Sequence, residues 1–91
     1  MLVLPSSLTL REARAALGAL TQALQTEASA VVTVDASGLQ RFDTAALAVL
    51  LECRRLAEAA GKGFAVQQAP PRLAELARLY GLGVLLAPAT G

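Results

Sequence analysis

The chain has 91 residues, 55% of them hydrophobic and 16% charged, with a net charge of +1 and no histidine. That length suits one domain over 1–91 with a single core, and the scattered Lys and Arg lack the basic cluster that a nucleic-acid partner would require. Without histidine the commonest general base and metal ligand is missing, and no run approaches the about 20 apolar residues that span a bilayer. No enzyme activity, cofactor, metal or membrane span is therefore expected.

Taken in chain order, residues 1–4 read as a short strand cut off by Pro5, with no charged segment and apolar core of a secretory leader. Thr9 and Glu12 have the spacing of a capping box, which starts the first helix at Thr9. Its apolar stripe is Leu10, Ala13, Leu17, Leu20 and Leu24, with Arg11, Arg14 and Gln22 away from it. Residues 30–34 form a β-branched run almost free of polar side chains, the composition of a parallel strand covered on both faces. Asp35, Ser37 and Gly38 then supply turn chemistry, because Asp and Ser side chains satisfy nearby backbone N–H groups.

Asp43 and Thr44 sit where a helix N-cap belongs, ahead of a second helix over 44–60 that Gly61 stops. One stripe of this helix is Ala46, Val49, Leu50, Cys53, Ala57 and Ala60, with Leu47, Leu51, Arg54, Arg55 and Glu58 beside or opposite it. Large apolar residues thus occupy more than the usual arc, so part of the helix is either deeply buried or covered by another protein. Cys53, the single cysteine, reads as a small core residue and fits a reducing, cytosolic setting.

A strand over 64–67 follows, then a third helix opened by Pro70 and Pro71, with Leu73, Leu76, Ala77 and Tyr80 inward and Gly81 as its terminator. Residues 84–86 read as a last short strand and 87–91 as a frayed tail. Alternating strands and helices predict an α/β fold with a mostly parallel sheet of about four strands.

Two tempting sites fail on chemistry. Asp35, Ser37 and Asp43 make a poor metal or acid–base set without histidine or more carboxylates, and they read instead as caps of the junction. Gly61, Lys62 and Gly63 lack phosphate-loop spacing and follow a helix rather than start one.

One segment does carry a family signature. Val34, Asp35, Ser37 and Leu39, followed by Phe42, Asp43, Thr44, Ala46 and Leu47, resemble the central motif of STAS domains, found in anti-sigma factor antagonists and attached to anion transporters. The continuation Leu50 to Arg55 and the segment Leu76 to Gly81 are most similar to the small cytoplasmic STAS subunit of bacterial phospholipid-transporting ABC complexes. The resemblance implies a non-enzymatic, protein-binding domain, cytoplasmic and peripheral to the inner membrane through its partner. It implies an ABC transporter ATPase as partner, with Thr44 at the contact; the alternative is an anti-sigma factor kinase that phosphorylates Thr44. The contact expected around Thr44 takes in Leu47, Leu51, Arg54 and Arg55. Such domains open with a longer hairpin, so the first strand here is expected to be shortened, leaving an edge that a partner or a second copy would cover.

Overall fold

The computed structural model describes residues 1–86. In chain order the elements are β1 (Leu2–Val3), β2 (Ser7–Leu8), α1 (Leu10–Gln25), β3 (Val31–Asp35), β4 (Arg41–Phe42), α2 (Thr44–Ala59), β5 (Gly63–Gln67) and α3 (Pro71–Leu79), followed by a 3-10 turn over Gly83–Leu86. The central sheet has the order β1-β3-β5, all parallel, and β2 pairs with β4 in a separate parallel ribbon. This is an α/β fold with parallel strands and three helices.

Register shows how the layers form. Leu2 lies beside Val34, Val34 beside Val66 and Val32 beside Phe64, so these five side chains share one sheet face, and all are buried. The alternate positions Val3, Val31, Thr33, Ala65 and Gln67 point the other way and are exposed or half-buried. The run expected to be covered on both faces is therefore covered on one. All three helices contribute to the same core cluster, through Leu20 and Leu24 of α1, Leu50 and Cys53 of α2 and Leu73 and Ala77 of α3. Among the described residues, no helix is left to shield the reverse face.

Local chemistry places the helix ends. The Glu12 carboxylate accepts from the Thr9 N–H at 2.8 Å, the Thr9 hydroxyl at 2.7 Å and the Ser7 hydroxyl at 3.0 Å, and a capping box opens α1. At the end of α2, the Lys62 N–H reaches the Ala57 carbonyl at 2.9 Å and the Gly61 N–H reaches Glu58 at 3.0 Å. α3 repeats the pattern, with Leu82 to Ala77 at 2.7 Å and Gly81 to Arg78 at 3.1 Å. Both are Schellman endings, and Gly61 and Gly81 take the positive φ these require, 75° and 71°. The Lys62 ammonium also donates to the carbonyls of Glu27 and Ser29, at 2.6 and 2.7 Å, tying the end of α2 to the loop that feeds β3.

Several expectations are corrected. Leu10 is 80% exposed, because it stands at the first position of α1, whereas the buried residues Leu20 and Leu24 lie towards the other end of the helix. Ala60 and Tyr80 are exposed where the chain leaves α2 and α3. Residues 84–86 belong to the 3-10 turn, not a strand. Leu85 is buried by that turn as it packs against α3, β5 and α2. The tail expected over 87–91 lies outside the described residues.

Candidate functional site

The site grows from the link between β3 and α2. At the end of β3 the Asp35 carboxylate accepts from the Ser37 N–H at 2.9 Å, and this hydrogen bonding holds its pKa below the usual value. The Ala36 N–H donates to Gln67 at 2.9 Å, and the Leu39 N–H to Ala36 at 3.1 Å, so the turn is pinned to β5. Next, the Gln40 and Arg41 N–H groups share the Ser6 carbonyl at 2.8 and 2.9 Å, which leads into the β2–β4 ribbon. The chain thus arrives at α2 along a path hydrogen-bonded on both sides.

Asp43 is the N-cap of α2. One carboxylate oxygen accepts from the Ala45 N–H at 2.8 Å, and the other accepts from the Leu10 N–H, the first amide of α1, at 3.2 Å. A single carboxylate therefore serves two helix N-termini, where orphan amides and the helix dipoles favour negative charge. Because Asp43 does the capping, Thr44 at the first helical position is free to stand exposed. Phe42, Asp43 and Thr44 form one wall of a shallow groove whose other wall is Arg72, Glu75, Leu76 and Leu79 of α3. The Arg72 guanidinium lies 5.5 Å from the centre of the Phe42 ring, a cation–π distance.

The outward stripe of α2 runs Thr44, Ala48, Leu51, Arg55, all exposed and spaced for one helix face. Leu51 is 43% exposed, while Leu47 is only 3% exposed and belongs to the core. The expectation that Leu47 stands in the contact is corrected. It lies roughly 40° around the axis from Leu51, far enough to turn inward. Arg54 bonds Glu58 at 3.3 Å and Arg55 bonds Glu52, so both arginines are paired along their own helix.

Ala48 was not among the expected contact residues, although its spacing of four from Thr44 and three from Leu51 is a readable signal. The cross-helix bond of Asp43 to Leu10 and the α3 wall had no such signal, since both depend on tertiary packing. Cys53 is fully buried, and burial, with the Glu52 charge beside it, pushes its thiol up to about 11. Asp35 and Asp43 are each engaged by separate backbone amides. Among the described residues, no group of three or more His, Cys, Asp or Glu side chains is placed to hold a metal ion, and no helix is long and apolar enough to cross a membrane.

Parallel strands with three helices, and an exposed threonine beyond a capping aspartate at the β-to-α junction, define a domain of the STAS type. The family model described as "Mlab, STAS domain" matches residues 1–87, and the chain belongs to that family. No curated protein matches the chain.

Proposed function

We propose that the chain is a non-enzymatic accessory domain that binds and regulates the cytoplasmic ATPase of a phospholipid-transporting ABC complex, and is peripheral to the inner membrane through that partner. The observation that carries the reading is the outward stripe of α2, headed by Thr44, whose side chain Asp43 has relieved of capping. Thr44, Ala48 and Leu51 offer a small, nearly neutral contact, and desolvated apolar centres of this kind anchor stable interfaces. Arg54 and Arg55 border it. Their ion pairs are solvent-facing, so exchanging Glu58 or Glu52 for a partner's carboxylate costs little. Membership in the MlaB-type STAS family supports this partner class. A single domain over 1–91 is part of the same reading.

The second reading, an anti-sigma factor antagonist released by phosphorylation, has one observation in its favour. Thr44 opens a helix N-terminus and shares its groove with Arg72, and both features attract a phosphate. Mixing the purified protein with each class of partner and ATP separates the two readings. Complex size is followed by chromatography and Thr44 modification by mass spectrometry. Stable association with the ATPase and an unmodified Thr44 supports the first reading. Stoichiometric phosphate on Thr44, with dissociation from a bound kinase, establishes the second in its place.

A further inference from the structure

Beside the stripe of α2 lies a second groove, between α1 and α2, lined by Leu10, Ala13, Arg14, Leu17, Ala45, Ala48, Val49 and Glu52. The helices begin side by side at the Asp43 bridge to Leu10, and the groove sets 10–17 against 45–52, so they run in the same direction. One wall carries Arg14, which is exposed and makes no ion pair among the described residues. The other carries Glu52, whose Oε1 accepts from Arg55. Leu10, 80% exposed, stands at the open end.

We propose that this groove is the interface of a homodimer, with a two-fold axis along it. That axis places α1 of each copy over α2 of its partner, and three features of the groove become self-complementary. Arg14 faces the partner copy's Glu52; counted from the helix starts at Leu10 and Thr44, the two differ in height by about 6 Å, within reach of an arginine side chain. Leu10 meets the small side chains of Ala45 and Ala48 in the other copy, a large knob over a shallow hollow. The floor between them is apolar and lacks like charges that would repel. Two helices of 16 residues, packed about 10 Å apart, present a face on the order of 500 Å² in plan. That is less than the roughly 800 Å² per partner of a standard stable interface, which places the dimer among small, transient contacts to be sought at high protein concentration. A second copy fits the groove better than an unrelated helix because the groove carries both halves of its own charge pair.

Ala48 belongs to this groove and also to the stripe assigned to the ATPase, so dimer and complex exclude each other; this consequence, unlike the dimer, rests on that assignment. The test uses the protein alone, in sedimentation over a wide concentration range. Arg14→Glu and Glu52→Arg should each weaken the dimer about tenfold, the two together should restore it, and Leu10→Asp should abolish it. All three positions lie at or near the surface, and circular dichroism checks that each variant is folded. A wild-type monomer at every concentration, or a dimer indifferent to Leu10→Asp and to the charge swap, overturns the proposal. Adding the ATPase separates the two ideas. If it fails to bind even the monomeric Leu10→Asp variant, the partner reading falls while the dimer stands.

Discussion

The two sides of α2 are built from similar side chains and meet different surroundings. Inward, Ala46, Leu47, Val49, Leu50, Cys53 and Ala57 are buried in the core, and outward, Thr44, Ala48, Leu51 and Arg55 meet solvent. Leu47 and Leu51 make the point most sharply: the residue type is the same, they are one turn apart, and one is 3% exposed and the other 43%. Residue type alone does not separate core from surface. Angle around the axis does, once the neighbouring sheet and helices decide which arc is covered.

The largest effect should come from breaking the inner side. Leu50→Ala and Leu47→Ala each empty a closed site and should cost about 2–5 kcal/mol of unfolding free energy, whereas Leu51→Ala should cost less than about 1 kcal/mol. Denaturant titration checks this. Binding should rank the other way, with Leu51→Asp abolishing the ATPase complex while the domain stays folded.

The link between the sides is sharpened at Asp43. Asp43→Ala removes the acceptor for two helix starts and should cost about 1–2 kcal/mol. Asp43→Ser keeps a shorter cap for Ala45 but does not reach Leu10. Amide hydrogen exchange should then rise at Leu10 and stay slow at Ala45.

A smaller effect is expected on the pH dependence of stability. Thr9 and Ser7 hydrogen bonds lower the pKa of Glu12 from 4.5, and Ser37 hydrogen bonds lower that of Asp35 from 3.8. Both groups therefore add stability that is present above those ordinary values and is lost as pH falls through the lowered ones. Melting temperature should drop as pH falls below about 4.5, and Glu12→Gln, which retains an acceptor but no charge, should flatten that drop.

Much of the helical framework was legible because its signals are local. Thr9 with Glu12, Asp43 before the alanine-rich run, Pro71, Gly61 and Gly81 mark helix ends through bonds a few residues long, and the structure places the ends there. The strand over β3 was legible from its β-branched run, but its open reverse face was not, because coverage depends on where α1, α2 and α3 pack. The β2–β4 ribbon is only two residues wide on each side and joins segments more than thirty residues apart, so it left no periodic trace. Leu10 and Tyr80 fit their helical stripes, yet each stands at a helix end beyond the reach of the core. At the site, Thr44 and Asp43 were legible from turn chemistry and motif, whereas the inward turn of Leu47 and the α3 wall depend on tertiary packing.

The outer stripe of α2 as a docking face is tested most directly by titrating the ATPase with wild-type protein, Thr44→Ala and Thr44→Glu, with the melting temperature of each variant measured alongside. Thr44 is exposed and Asp43 holds the cap, so both variants should melt close to wild type. Thr44→Ala should weaken binding. Thr44→Glu should weaken it further, because it forces a charge into an apolar contact. Wild-type affinity for both folded variants would contradict the account.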